Sequence, residues 1–261
     1  MTTNRRLAYV QARLQARHGQ RLTEAGWRLL EATPDLGSYL QSARATSLRP
    51  WIIHLPSEAD THLIERSLRL EWGDYVDGIA SWVGSDWQDA IHWLSSLPYL
   101  PHFVYLLRNE PAPHWMLDDP VLANLAHSDA ERRREALRTT ALAAIADGIH
   151  GGDAPMTVWL DDWVRRFPAV TQDTRRALDR LRQTYETHAA AILDDPSRHP
   201  AGPLLRQRLG ERLNSAFRRH SGRIAALFAH LGLMALDAER LRAGLVLRAL
   251  FRDPARRPRW A

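Results

Sequence analysis

The 261-residue chain contains no cysteine and no lysine. Without thiols it can form neither a disulfide framework nor a thiolate metal site. No apolar run approaches the roughly 18 residues that span a bilayer. There is no Gly-rich phosphate loop, no His-Glu-x-x-His pair and no serine in a nucleophile elbow. Motif support is therefore missing for nucleotide binding, zinc hydrolysis and acyl transfer, and the expectation is a protein that is not an enzyme and carries no cofactor or metal. Met1–Arg6 begins like a signal peptide, but Gln11, Arg13, Gln15 and Arg17 follow where a secretory segment is uniformly apolar. That pattern predicts a cytoplasmic chain.

With lysine absent, all 35 basic residues are arginine, set against 30 acidic ones for a formal charge of +5. Guanidinium grips phosphate and carboxylate in a bidentate way. Arg132-Arg133-Arg134 with Arg138, Arg165-Arg166, Arg175-Arg176, and Arg218-Arg219 with Arg223 are the candidates for a phosphate-tracking surface. Each cluster reads as interleaved with acids, among them Glu131, Glu135, Asp161, Asp162, Asp173 and Asp179, which is the composition of solvated helix faces with i,i+4 pairs. A codon bias towards arginine accounts for the missing lysine, and the high pI is weak evidence for nucleic acid.

What the chain does have is helix grammar and tryptophan. With 45% apolar residues it can build a core as one large domain or two small ones. Eight of the ten tryptophans lie between Trp51 and Trp163. Trp159 and Trp163 share a helix face, and Trp72 is in phase with Leu68, Tyr75, Val76 and Ile79, so these rings read as core. Thr33-Pro34 reads as a helix start ahead of Leu36, Tyr39, Leu40 and Ala43, and Ser57 as the cap of a long helix through Ile79. Ser85-Asp86-Trp87-Gln88 and Ser128-Asp129-Ala130-Glu131 read as capping boxes, the second opening a helix to about Ala146.

Further helices are expected near 156–166, 172–193, 203–219, 221–231 and 237–252, and only Trp51–Leu55 reads as extended. The prediction is an all-α protein of nine or more helices in multi-helix bundles. Gly- and Pro-rich breaks at 147–155 and 194–203 divide it into blocks 1–147 (Trp-rich), 153–195 and 203–261, free to pack as one domain. The pairs Asp118-Asp119, Asp161-Asp162 and Asp194-Asp195 read as helix-opening charges. His150, Asp153, Asp161 and Asp162 are the nearest thing to a metal or acid–base cluster.

Two segments carry a family pattern. In Leu7–Gly19, Ala8, Tyr9, Ala12, Arg13 and Arg17 stand in the order aromatic-Ala-Tyr-x-x-Ala-Arg-x-x-x-Arg requires after its first position, and Leu22, Leu30, Asp35, Leu36 and Leu40 follow. Near the other end, Asp237-Ala238-Glu239-Arg240-Leu241-Arg242 is similar to an Asp-x-x-Asn-Leu-Arg helix start, with Arg240 in place of Asn. Together they resemble the central-stalk socket subunit of V/A-type rotary ATPases, a family with prokaryotic and eukaryotic members, in shortened or diverged form. The resemblance implies an all-helical, non-catalytic coupling subunit, peripheral on the inner face of the membrane. Its partners would be the rotor shaft and the proteolipid ring of a proton or sodium transporter, with Tyr9, Arg13, Arg17, Asp237, Arg240 and Arg242 as motif or contact residues. The alternative is an arginine-rich helical adaptor for nucleic acid or protein. Read locally, Tyr9 and Leu14 are expected in the core, and Ala12 and Ala16 permit close helix contact. His18 and Gly19 would finish a helix, Asp237 would cap one, and Arg242 would pair with an acid on a neighbour.

Overall fold

The computed structural model describes residues 3–107, 110–140, 143–150, 154–193 and 201–251. It is all-α, with no strand among the described residues. The helices are α1 (Thr3–Gly19), α2 (Glu24–Glu31), α3 (Leu36–Arg44), the single turn α4 (Arg49–Ile52), α5 (Thr61–Ala80), α6 (Ser85–His92), α7 (Leu100–Leu107), α8 (Ala130–Arg138), α9 (Ala143–His150), α10 (Pro155–Arg165), α11 (Gln172–Leu193), α12 (Ala201–Arg219) and α13 (Ile224–Leu250), with 3₁₀ segments at Trp93–Tyr99 and His114–Asp118. None of the described helices is long and apolar enough to cross a membrane. Compactness divides the chain at 83/84 and 205/206, so that the first helices and the last ones make one unit and residues 84–205 make another. Loop composition alone does not reveal this grouping; the Gly-rich break at 147–155 falls inside the second unit, where α9 runs on to His150, and residues 151–153, like Asp194-Asp195 and the tail from 252, lie outside the described residues.

In the first unit α13 packs on α5, α1 and α3. Its opening run Ile224–Leu231 is buried without interruption, which is the pattern of a helix surrounded by others. The sequence predicts a break between 231 and 237; none occurs, because Leu233 and Met234 are buried and no proline interrupts the hydrogen-bond ladder. Trp51–Leu55 is not extended either: Trp51 and Ile52 end the turn of helix α4, and Ile53 and His54 continue as a turn. Pro50 sits in the first turn of α4, where its missing N–H costs nothing, and Trp51 and Ile52 are buried.

Carboxylates, not hydroxyls, start most of the capped helices. Asp35 caps α3, accepting from Ser38 N at 2.9 Å, while the Thr33 hydroxyl donates back to Leu30 O and closes α2. Asp60 rather than Ser57 caps α5, and Asp129 rather than Ser128 caps α8. Ser85 is the first residue of α6, and Gly84 precedes it with no side-chain cap. A carboxylate also favours the positive end of the helix dipole, which a hydroxyl does only weakly. α8 stops at Arg138 rather than near Ala146, and the Thr139 and Thr140 hydroxyls bond the carbonyls of Ala136 and Leu137 there.

In the second unit Trp93 and Trp159 stack at 6.0 Å. Both indole N–H groups donate, one to Trp159 O and the other to Ser96 Oγ, so this aromatic pair is buried without an orphan donor. Asp161 and Asp162 do not open a helix. They lie in the second half of α10, with Asp161 bonded to Arg182 and Asp162 to Arg165 and Arg166. Asp119 does act locally, its Oδ1 accepting from Val121 N and Leu122 N.

Gly244 marks a close approach in α13, because a Cβ there would collide with the ring and hydroxyl of the fully buried Tyr39. Gly244→Ala is expected to lower stability by about 2 kcal/mol despite alanine's better helix propensity. Gly73→Ala in α5, where a Cβ meets nothing within 4 Å, should stabilise by up to ~1 kcal/mol. Urea unfolding of the two variants, side by side, checks both signs.

Candidate functional site

The two segments with the family pattern form α1 and part of α13, and both belong to the first unit. Asp237 lies in the middle of α13 and so does not cap a helix. Its carboxylate instead takes Arg21 in a bidentate pair, Nε to Oδ2 at 2.7 Å and Nη2 to Oδ1 at 2.9 Å. Both side chains are largely buried, at 17% and 10% exposure. Arg21 follows α1 directly, so this pair fixes the end of α1 to the waist of α13.

One turn on, Arg240 reaches α2. It donates to both oxygens of Glu31, at 2.6 and 2.9 Å, and to both of Glu24, at 2.7 and 3.1 Å, while its guanidinium lies 4.9 Å from the Trp27 ring. Burial opposes the charge on Arg240, but the hydrogen bonds to Glu31 and Glu24 outweigh it and hold the guanidinium more firmly protonated than usual. The same hydrogen bond pulls the Glu24 carboxyl below its ordinary value. Arg242 pairs with Glu65 on α5, the neighbouring-helix acid that the sequence predicts. Arg248, buried, donates to Glu31 O and Thr33 O and lies 4.1 Å from the Tyr39 ring, so it satisfies carbonyls at the end of α2.

On α1 the buried positions are Val10, Gln11 and Leu14. Leu14 is in the core as expected, whereas Tyr9 is 50% exposed because it falls outside that buried strip. Arg13 covers Tyr9, donating to its hydroxyl at 2.8 Å, and also lies 4.0 Å from the Trp82 ring. Arg17 lies over the same Trp82 at 4.5 Å and over Tyr75 at 4.9 Å. Stacked guanidinium on indole holds these arginines in place while Arg13 stays open to solvent.

His18 stacks on Phe217 at 4.3 Å. Burial, with Arg21 and Arg218 nearby, pushes its pKa down, which disfavours the helix-end cation that its position predicts. His230 is completely buried, its Nε2 2.8 Å from the Tyr75 hydroxyl. Burial, reinforced by His18, Arg21 and Arg17, pushes it down to about 3.

No group of three His, Asp or Glu side chains converges on a metal position among the described residues. Of the cluster considered from sequence, Asp161 and Asp162 are held by arginines; the His150 side chain and Asp153 lie outside the described residues. The arginine clusters are likewise drawn inward in part. Arg133 is buried and donates to Glu110 O, Arg134 bonds Glu131, and Arg166 bonds Asp89 and Asp162. No family model, no curated protein and no solved structure matches the chain.

Several participants carry no motif in the sequence. Glu24 and Glu31, seven apart, share one face of α2 and form a visible acidic stripe; His230, alone in the apolar run Ile224–Leu233, is legible as a buried imidazole. Arg21, Trp82 and Arg248 have no comparable local signal.

Asp237→Leu and Arg21→Leu should each cost about 3 kcal/mol, since each strands the other charge; the double variant should cost distinctly less than the sum. Chemical unfolding of the four-member cycle measures this.

The His230 shift has a definite sign. Its folded-state value lies below the unfolded 6.5, so the unfolded chain binds the proton first and stability falls as pH drops from 6.5 towards 3. His230→Gln keeps a partner for Tyr75 but cannot titrate. Its loss of stability between pH 7.5 and 5 should be smaller than that of the parent by ~2 kcal/mol, read by urea unfolding at both pH values.

Proposed function

We propose that this chain is a non-catalytic coupling subunit of the rotary-ATPase socket type, joining a rotor shaft to a membrane proteolipid ring in proton or sodium transport. The observation that supports this reading is how the motif residues are used. Asp237, Arg240 and Arg242 fasten α13 to the end of α1, to α2 and to α5 through directional ion pairs, while Arg13 is stacked and outward-facing on α1. None of these residues is arranged around a reacting atom. A part that transmits torque needs helices that do not slide past one another. Bidentate pairs resist sliding better than apolar contact, because they specify register. A nucleic-acid adaptor is supported less well, since the 132–138 and 165–166 arginines in large part hold carboxylates and backbone carbonyls of the chain itself.

The test is purification of the tagged full chain from its own cells in mild detergent, followed by mass spectrometry. Ring and stalk subunits are expected in stoichiometric amounts, and Arg13→Glu with Arg17→Glu should remove them while helical content stays unchanged. A folded protein that purifies without ATPase subunits would sink the rotary reading.

A further inference from the structure

α1 contains no Asp or Glu from Thr3 to Gly19, and its exposed residues include Arg6 and Arg13. The end of α12 lies against it: His18 stacks on Phe217, and the Gly222 amide donates to Gln11 Oε1 at 2.9 Å. That end carries Arg218 and Arg219, both exposed. Other arginines of the same unit are matched by carboxylates, as in Arg21 with Asp237, Arg240 with Glu24 and Glu31, and Arg242 with Glu65, although among the described residues exposed Arg49, Arg66, Arg208 and Arg212 are not. Arg6, Arg13, Arg218 and Arg219 pair with no carboxylate among the described residues. Glu211, two turns back on α12, bonds Gln207. In a chain whose net charge is only +5, this face is locally basic and uncompensated.

The shape of the face narrows what covers it. Ala8, Ala12 and Ala16 recur every four residues and are exposed, so they form a low strip along α1. Tyr9 and Arg13, the latter braced on Trp82, border one side of that strip on the helical wheel. Gln11 and His18, which meet the α12–α13 turn, lie towards the other. A strip of methyl groups lets a second helix approach to about 8 Å between axes, which larger side chains would prevent. A lipid surface would call for apolar side chains reaching outward, and of the large apolar residues on α1 only Tyr9 is strongly exposed.

We propose that this face docks an acidic helix of a protein partner, laid along the Ala8–Ala12–Ala16 strip with its carboxylates reaching Arg13 on one side and Arg218 and Arg219 on the other. The proposal shares the α1 contact of the preceding reading and names the chemistry of what binds there; it does not require that the partner be a rotor.

The probe is a fluorescent alanine-based helical peptide of about 20 residues with glutamates along one face, titrated into the full-length protein and followed by anisotropy. Binding should weaken steeply as salt rises. It should fall at least about tenfold in Arg218→Glu/Arg219→Glu and, separately, in Ala12→Trp, which fills the strip without changing its charge. All three positions are exposed, so circular dichroism should be unchanged. Absence of binding, equal binding by the variants, or tighter binding of oligo-thymidylate or phosphatidylserine vesicles than of the peptide would each overturn the proposal. Peptide binding in a protein that co-purifies with no ATPase subunit would remove the rotary reading and leave this one standing.

Discussion

The first half of α13 is surrounded by other helices, and most of the buried polar atoms that the helix carries are answered from one of them. A buried charge or imidazole without a partner costs several kcal/mol. Asp237 is matched by Arg21, Arg248 by the carbonyls that end α2, and Nε2 of His230 by Tyr75. These three positions act as pegs. Apolar burial decides that α13 is central, and the close approach of Tyr39 at Gly244 already disfavours a helix shifted by one turn. The pegs add to this: a shift of one turn moves Asp237 by about 5.4 Å and leaves two charges unpaired. Register in this unit thus comes from the polar groups together with that close approach, while cohesion comes from the apolar face.

That division of labour explains what can be read from the sequence. Cohesion is periodic and local, so the helical class, the positions of most helices and the burial of Trp72, Trp159 and Trp163 follow from spacing alone. Cap identity is less legible, because Ser57, Asp60, Ser128 and Asp129 all look like caps, and only the backbone path decides which oxygen meets the free amides. The pegs are least legible of all. Arg21 and Asp237 are 216 positions apart, and nothing near either one names the other. The candidate residues that the family pattern singles out do sit in structurally distinctive places, but their roles differ from local expectation. Asp237 reads as a cap and is a mid-helix ion-pair partner; Tyr9 reads as core and is a surface ring under an arginine.

The absence of lysine takes on structural meaning here, whatever its origin in codon usage. Arg240 spans two carboxylates and lies against an indole, Arg248 reaches two carbonyls beyond its own helix while lying over a phenol, and Arg13 joins Tyr9 to Trp82. Each of these needs a planar, multi-donor cation; an ammonium would make one contact and lose the rest. Arginine and tryptophan are in this sense complementary choices. The indole offers a flat electron-rich face, and the guanidinium covers it without giving up its in-plane hydrogen bonds.

The same geometry separates two kinds of arginine that composition merges. Where a guanidinium has both a carboxylate and a ring, as at Arg240, its charge is neutralised locally and it serves the fold. Where it has a ring but no carboxylate, as at Arg13, stacking fixes its position while its charge stays available to something outside the chain. Flexible surface cations lose side-chain entropy on binding, and a pre-positioned one loses less. An arginine held by aromatic faces and left unneutralised is therefore better suited to recognition than to stability, since an exposed carboxylate partner would contribute to stability only modestly. That asymmetry makes α1, rather than the more heavily charged α8, the side of the molecule on which an acidic partner gains most.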